Sequence, residues 1–398
     1  MNRNMNQPKP DSGLWNRQFL LVLAQNSAFS AAFNGFVPIL PLYLASFGAS
    51  AQEVGVIVGS YGLAALILRP LSGRLTDHFG PKAMTVVGAL LFALSTPLMA
   101  LSAATPVLIA LRVMQSGGLV CFFTASTTLG VVTVSPGRIG TAMGVLGVAG
   151  GIGALIASPF AVQIAELLGW TATLILLSGL AAFSILLCLQ IHVRQITPET
   201  AHIERAPTAL VNMRAVVPAL LFLGFTLTQG PILAFVPLFA LERGLGNPGL
   251  FLAAVSVGNI ACRSFAGVVA DRYGRGKVIL PGLALACLAM PAIAASQSPA
   301  WFWASGLLYG LANGMCFTGL IAFTLDRVSS EERGSAIATF QWGWDIGSSV
   351  SAAVMGMLVS VVGYGGIFFV SSVFPGVSAL VFAMMRLLSR RAARQAAA

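Results

Sequence analysis

One acidic residue lies deep inside a long apolar stretch, where it would be able to carry a proton. Asp345 follows Gln341, Trp342 and Trp344 in that stretch. A charge at such depth costs at least about 2.5 kcal/mol unless it is paired or hydrated, so it usually marks the path of an ion or a proton. Because burial disfavours the carboxylate form, we expect Asp345 to face a central cavity and to take up and release a proton. The alternative is a permanently paired structural residue.

Two other charged positions stand out. Arg112 is the deepest cation of the N-terminal half. We expect it to modulate a protonatable group or to attract a substrate carboxylate, and the structural alternative is hydrogen bonding to carbonyl groups of the first span. Asp326 stands beside Arg327 at the end of an apolar stretch. That position predicts a gate pair or a contact with lipid headgroups.

Polar and aromatic residues on otherwise apolar stretches are the candidates for lining a cavity between helices. They are Asn26, Asn34, Tyr61, Gln115, Gln229, Asn259, Asn313, Gln341, Trp342 and Trp344. Each alone would also serve as a hydrogen-bonding or packing contact between helices. Aromatic rings beside a carboxylate favour an amphipathic or cationic organic ligand. Arg112 instead favours an anionic or zwitterionic ligand, such as a carboxylate-bearing metallophore.

The sequence contains none of the residue sets that enzymes or metal sites use. It has no nucleotide-binding loop of the Walker type. The three histidines, His78, His192 and His202, fall in predicted loops, and the five cysteines lie in apolar runs without metal-ligand spacing. We therefore predict that the protein is not an enzyme and needs no metal or cofactor.

The elements that position these residues follow from composition. Of 398 residues, 57% are hydrophobic and 9% charged, whereas an ordinary soluble domain is about 25% charged. The apolar runs are too long and too uniform for barrel strands. They predict an all-α membrane protein with helices near 18–45, 53–73, 82–103, 106–132, 138–167, 170–191, 214–241, 248–270, 277–296, 300–327, 333–361 and 365–388.

The distribution of basic residues predicts the orientation. If the N-terminus is cytoplasmic, nearly all loop arginines and lysines fall on the cytoplasmic side, and the outer loops hold only Arg243. This asymmetry predicts two cytoplasmic termini in a cell inner membrane. The net charge of +10 then indicates contact with anionic lipid rather than with nucleic acid. The polar start, Met1 to Ser12, is too hydrophilic for a signal peptide.

The chain repeats itself at an offset of 194 residues. Arg69, Gly73, Asp77 and Gly80 return in the second half as Arg263, Gly267, Asp271 and Gly274. Duplication predicts two pseudo-symmetric six-helix bundles, over 1–191 and 214–398, joined by a polar cytoplasmic linker over 192–213. Arg69 and Arg263 lie just inside the membrane, where long side chains also reach the headgroups. The alternative for the repeated loops is a solvated turn.

Twelve spans and the loop containing Gly73, Asp77, Gly80 and Lys82 resemble the major facilitator superfamily and its G-x-L-x-D-x-x-G-x-K motif. The run Leu111 to Gly118, around Arg112, is similar to the arginine motif of the drug:proton antiporter branch. The glycine-rich fifth span also resembles that branch but lacks its Gly-Pro pair, and Asn26 and Asn34 occupy the first span, where many drug-specific members carry an acid.

The resemblance implies that the loop residues gate the cytoplasmic side. Asp77 would accept hydrogen bonds at a neighbouring helix terminus and pair with Arg74 or with a cation of the other half, forming a latch that opens as the halves rock. The predicted gating set is Arg69, Gly73, Arg74, Asp77, Gly80, Lys82, Arg263, Gly267, Asp271, Gly274 and Asp326.

The predicted function is proton-coupled efflux of a small organic molecule, drug-like or metallophore-like, by alternating access, with Asp345 and Arg112 in the proton-coupling step. The partners are then the substrate, protons and membrane lipid, and the expected state is a monomer. The alternatives are a proton symporter or facilitator for a nutrient such as a sugar or organic acid, and a membrane receptor that transports nothing.

Overall fold

The computed structural model describes residues 15–135, 138–192, 211–329 and 332–396. The first bundle consists of α1 (Arg17–Ser46), α2 (Ala51–Phe79), α3 (Pro81–Leu98), α4 (Thr105–Val132), α5 (Ile139–Leu168) and α6 (Trp170–Leu189). The second consists of α7 (Met213–Thr226), α8 (Gln229–Arg243), α9 (Pro248–Tyr273), α10 (Gly276–Ala294), α11 (Pro299–Leu325), α12 (Arg333–Ser371) and α13 (Val373–Ala396). The predicted linker over 192–213 lies mostly outside the described residues.

The predicted helical membrane fold is confirmed. At two places, however, the helices do not correspond one to one with the membrane crossings. Within the described residues, eleven stretches are long and apolar enough to cross a membrane, and one of them, Arg333–Leu388, has 56 residues, more than twice what one crossing needs. The chain turns back within that stretch at Gly363, whose φ is 71°. The seventh crossing is α7 and α8 together. They are separate because Pro231 has no amide to donate to the Leu227 carbonyl.

Capping residues in the sequence set the helix ends. Ser50 and Glu53 form a capping box at the start of α2, which satisfies backbone amides that otherwise lack partners. Gly80 and Gly274 end α2 and α9 with φ of 85° and 87°, a backbone conformation that glycine adopts without strain. The repeated loop motif therefore marks the same turn in both bundles.

Contacts between helix ends define two sides of the molecule. On the side that we call the terminus side, the Asn16 amide at the start of α1 donates to the Thr133 carbonyl at the end of α4 over 2.8 Å. Arg214 pairs there with Glu332 at 3.0 Å, joining the starts of α7 and α12. On the opposite side, the far side, Thr105 at the start of α4 donates to Glu53 at the start of α2 over 3.1 Å.

Each bundle has an aromatic core, while large apolar side chains cover the outside. In the first bundle the rings of Phe29 and Phe122 stack with centroids 3.6 Å apart. In the second bundle Phe222 and Phe340 stack at 4.3 Å. Outward-facing side chains such as Ile67 remain 75% exposed, as expected of a surface that meets lipid.

The two bundles close against each other on the far side. A Cβ on Gly55 of α2 would clash with the Ala352 carbonyl oxygen of α12, and one on Gly249 of α9 would clash with the Ser158 carbonyl oxygen of α5. Most described glycines that touch the opposite bundle lie in the far-side half of their helices, namely Gly55, Gly59, Gly62, Gly249 and Gly356, and Gly151 lies near the middle of α5. The far side is therefore sealed by direct backbone packing.

Candidate functional site

Arg69 and Asp345 form an ion pair that joins the two bundles. The Arg69 Nε and Nη2 atoms of α2 donate to the two carboxylate oxygens of Asp345 of α12, each over 2.9 Å. Asp345 is buried, with 1% of its side chain exposed, whereas 28% of the Arg69 side chain remains exposed. A parallel arginine fork of this kind is among the strongest polar contacts in proteins. The acid therefore has a partner from the opposite bundle and contact with solvent only through that partner.

This pair corrects the expectation of a solitary Asp345 facing a wet cavity. It also gives Arg69 a specific partner, where the sequence suggested a gating loop or contact with headgroups. The physical reason is the close approach of the helices: a Cβ on Gly62 would lie 2.7 Å from the backbone oxygen of Asp345. At that separation an arginine two turns further along α2 reaches the carboxylate. The available sequence signal was one intramembrane acid in the second half and two such arginines, Arg69 and Arg112, in the first, and their spacing did not show which arginine pairs with the acid.

Arg112 lies in α4 as a buried cation. Its guanidinium donates to the Gln115 side-chain oxygen and makes long hydrogen bonds of 3.4 Å to the Ile57 and Val58 carbonyl oxygens of α2. It also lies over the Tyr61 ring, 5.1 Å from its centroid. The structural alternative predicted that Arg112 would bond to carbonyl groups of the first span. It bonds instead to carbonyl groups of the second span, α2.

A small cavity lies between the bundles beside Arg112. It has a volume of about 50 Å³ and is lined by residues of both bundles, namely Phe33, Phe36, Val37, Leu40, Val58, Tyr61, Arg112, Leu233, Ser348 and Ser349. Its size suits a few water molecules rather than an organic substrate. Asp345 precedes Ser349 by one helical turn on α12, so the ion pair borders the cavity toward the terminus side. The Gly55 contact borders it toward the far side.

Of the ten predicted lining residues, the structure places only Tyr61 in this cavity. Several others connect helices. Asn26 donates to the Ser126 hydroxyl over 3.2 Å, Gln115 bridges Arg112 and Thr96, and Asn34 donates to a carbonyl of its own helix. Trp344 stacks against Phe222. The remaining ones lie elsewhere: Gln229 and Asn313 are buried on α8 and α11, and Asn259, Gln341 and Trp342 are half-buried on α9 and α12.

The cavity is lined by further residues that the sequence did not predict. Apolar and aromatic side chains of α1, α2 and α8 line it, together with the Ser348 and Ser349 hydroxyls. A serine cluster one turn beyond Asp345, at 348, 349 and 351, was a usable signal, because small hydroxyl residues inside an apolar helix usually face another helix or a ligand. Nothing in the spacing of Phe33 or Leu233 distinguished these side chains from ordinary core.

The repeated loops have different partners in the two bundles. Lys82 donates to the Leu189 and Ile191 carbonyl oxygens at 2.8 and 2.7 Å, which caps the C-terminal end of α6. In the second bundle Arg275 pairs with Asp271 and with Asp326, the latter through bonds of 2.7 and 2.9 Å. The Arg275 guanidinium holds the pKa of Asp326 below its usual range.

The predicted contacts of Asp326 and of Lys82 are thereby corrected. Asp326 pairs with Arg275 rather than with its neighbour Arg327, whose guanidinium lies over the Phe323 ring at 4.0 Å. The contacts of Asp326 and Lys82 stay within one bundle and so do not bridge the halves. Arg263, the repeat of Arg69, lies over Phe317 at 4.5 Å. Gly73 and Gly267 have open space where a Cβ would lie, so neither of them marks a close helix contact.

The described part of the chain shows no group of three or more histidine, cysteine or acidic side chains that would hold a metal ion. The five cysteines are free thiols. The charged groups that the structure places at the bundle interface are Arg69, Asp345 and Arg112.

Comparison with known proteins adds a family and a set of relatives. The model of the Major Facilitator Superfamily matches residues 22–262 and 249–398. The staphylopine export protein of Staphylococcus aureus is 24% identical over 96% of this chain and 97% of its own length. A multi-drug resistance efflux pump PmrA homolog of Lactococcus lactis is 25% identical over 86% of this chain and 89% of its own length. The multidrug resistance protein MdtG of Escherichia coli is 24% identical over 90% of this chain and 91% of its own length.

Solved structures resemble the chain in fold. A mutant of the nucleoside transporter NupG superposes with a TM-score of 0.79 at 16% identity, covering 93% of this chain and all of that one. A POT family transporter in complex with 5-aminolevulinic acid gives 0.78 at 12% identity, covering 94% of this chain and 97% of that one. At these identities the likeness shows the shared fold alone.

Proposed function

The chain belongs to the Major Facilitator Superfamily and is a transporter of that type, and we propose that it exports a small organic molecule in exchange for protons. The observation that carries the proposal is the Arg69–Asp345 ion pair, which joins the two bundles beside the cavity. A carboxylate in this position links its own protonation to the contact between the bundles. Alternating access needs such a link between a chemical event and the rocking of the two halves.

In the proposed cycle the ionised Asp345 pairs with Arg69 while the far side is sealed. Protonation of the carboxylate from the far side removes its charge and releases Arg69, so that the protonated protein changes conformation more readily than the empty, ionised one and carries the proton inward. Loss of one partner of a buried pair costs about 3–5 kcal/mol at full burial, and the exposed part of Arg69 reduces this value. The remainder is enough to change the rate of this conformational step by an order of magnitude or more.

Export as the direction is supported by the relatives. The staphylopine export protein and the multidrug proteins of Lactococcus lactis and Escherichia coli match nearly the whole chain. We further propose an inner-membrane location with both termini cytoplasmic, since the basic loops lie on the terminus side. The far side is then the outside of the cell. We also propose that the protein acts as a monomer, since one chain supplies both of the bundles that alternating access needs.

Everted membrane vesicles test this function. With the vesicle interior made acidic, a panel of dyes, antibiotics, sugars and metallophores is offered to vesicles with and without the protein. The proposal predicts that at least one compound accumulates inside only when the protein and the pH gradient are both present, and that a protonophore abolishes the accumulation. Intact cells expressing the protein should be depleted of the same compound.

Two results would contradict the proposal in different ways. Accumulation of the compound in intact cells would establish uptake, as in a symporter or facilitator. Binding of a compound without movement in either preparation would indicate a receptor.

A further inference from the structure

Arg112 has binding capacity that the protein itself does not use. A guanidinium carries five N–H donors, yet Arg112 makes one short hydrogen bond, to Gln115, and two long ones of 3.4 Å to carbonyl groups. No carboxylate forms an ion pair with it in the described part of the chain. Only 5% of Arg112 is exposed, and a buried cation without a counter-ion is costly to maintain.

A second unpaired polar group lines the same cavity. Ser349 is 2% exposed, and its hydroxyl has no hydrogen-bond partner. Buried polar atoms are normally paired, so an unpaired one inside a cavity points to a ligand. Gln229 of α8 has an unpaired, buried side-chain nitrogen as well. It lies one helical turn from Leu233, which lines the cavity.

The charges around the cavity favour an anion. The buried acid nearest to Ser349 on α12 is Asp345. Arg69 binds both of its carboxylate oxygens, so the Arg69–Asp345 pair has no net charge. Together, Arg69, Asp345 and Arg112 therefore give the site a net charge of about +1, which comes from Arg112. A cationic ligand would find no unpaired carboxylate there, whereas an anionic ligand would neutralise Arg112.

We propose that the substrate carries an ionised carboxylate, which binds the Arg112 guanidinium and the Ser349 hydroxyl. The rest of the substrate is apolar or aromatic, because Phe33, Phe36, Tyr61 and Leu233 form the remaining wall. The present cavity, of about 50 Å³, is too small for such a molecule, so the carboxylate enters when the bundles move apart along α2 and α12. This inference rests on the proposed transport function and adds its substrate class.

Matched acid and amide pairs test the inference by equilibrium binding. Benzoate, phenylacetate and indole-3-acetate, and the amide of each, are titrated by calorimetry onto the purified full-length protein in lipid nanodiscs. At least one acid should bind about tenfold or more tightly than its amide, since an amide cannot replace the charge in the contact with arginine. If no acid binds more tightly than its amide, the inference is wrong.

Variants assign the binding to the two residues. Arg112→Gln should weaken binding of the acid by about 30-fold or more, Ser349→Ala by about tenfold, and Ser360→Ala, on the exposed end of the same helix, not at all. Arg112→Lys keeps the charge without the fork and should give an intermediate loss. Unchanged affinity in a folded Arg112→Gln protein, judged by its elution and thermal midpoint, overturns the inference. If Arg112→Gln does not fold, the inference is tested by the affinity of Ser349→Ala for the acid and by the difference in affinity between each acid and its amide.

The binding experiment is independent of the proposed function because it needs no proton gradient. Acids that bind through Arg112 but never move with a pH gradient would contradict proton-coupled export and leave the inference intact. Proton-driven movement of neutral or cationic compounds that is unaffected by Arg112→Gln would contradict the inference alone.

Discussion

Gly62 of α2 faces Asp345 of α12 so closely that a Cβ on the glycine would lie 2.7 Å from the backbone oxygen of the aspartate. A side chain on residue 62 would also clash with the Ser349 hydroxyl, which lies against Gly62 at that level. The approach allows Arg69, two turns along α2, to reach the carboxylate of Asp345 with two hydrogen bonds of 2.9 Å. Packing of small residues and charge pairing thus occur together on one pair of helices, and we expect each to depend on the other.

The first prediction concerns the stability of this ion pair. Arg69→Gln and Asp345→Asn should each lower the thermal midpoint in detergent, because each leaves a charge without its partner. The double variant should lose less than the sum, with an interaction of about 1–3 kcal/mol. The exposed pair Arg214 and Glu332 is the matched control, and its cycle should give less than about 1 kcal/mol. Equal interaction energies for the two pairs would contradict the account.

The second prediction concerns the far-side seal. Gly55→Ala places a Cβ against the Ala352 carbonyl oxygen, and overpacking of this kind costs about 1–3 kcal/mol. The population of the conformation that is open to the far side should then rise at least about fivefold relative to wild type. The measurement is the labelling rate of Ser348→Cys by an impermeant thiol reagent added on the far side, with the five native cysteines replaced.

Gly179→Ala is the control for this measurement, since a Cβ there meets no atom within 4 Å. It should leave the labelling rate unchanged. Equal rates for Gly55→Ala and Gly179→Ala would show that the glycine contact does not hold the far side closed.

The third prediction concerns pH and the cluster on the terminus side. Because Arg275 lowers the pKa of Asp326, ionised Asp326 stabilises the fold above its unfolded pKa of about 3.9. That contribution is lost as the pH falls through the lower, folded value. Asp326→Asn should therefore lower the thermal midpoint by a constant amount from pH 5 to 8, and the difference should shrink below about pH 4. The effect should stay under about 1 kcal/mol because the pair is exposed.

If the difference in thermal midpoint between wild type and Asp326→Asn grew as the pH fell below 4, the stabilising role of ionised Asp326 would be contradicted. The same variant should retain transport, since the contacts of Asp326 remain within the second bundle.

Much of the architecture was predictable because its signals are local along the chain. Charges, prolines and glycines bound the apolar runs, and the repeat of Asp77 at Asp271 indicated the duplication. The contact between Arg69 and Asp345 spans 276 residues, and no periodicity reports how two distant helices are rotated against each other. Asn26 illustrates the same limit: a polar residue on an apolar helix looks alike whether it faces a cavity or, as here, Ser126 of the neighbouring helix.

The measurement that most directly tests the central claim is proton movement during transport in liposomes containing purified protein. A substrate gradient is imposed, and a pH-sensitive dye in the lumen reports protons while labelled substrate reports transport. We predict that wild type moves protons opposite to the substrate, and that Asp345→Asn still exchanges labelled for unlabelled substrate without moving protons. Proton movement in Asp345→Asn at the wild-type ratio to substrate would show that Asp345 and its pairing with Arg69 do not couple the two fluxes.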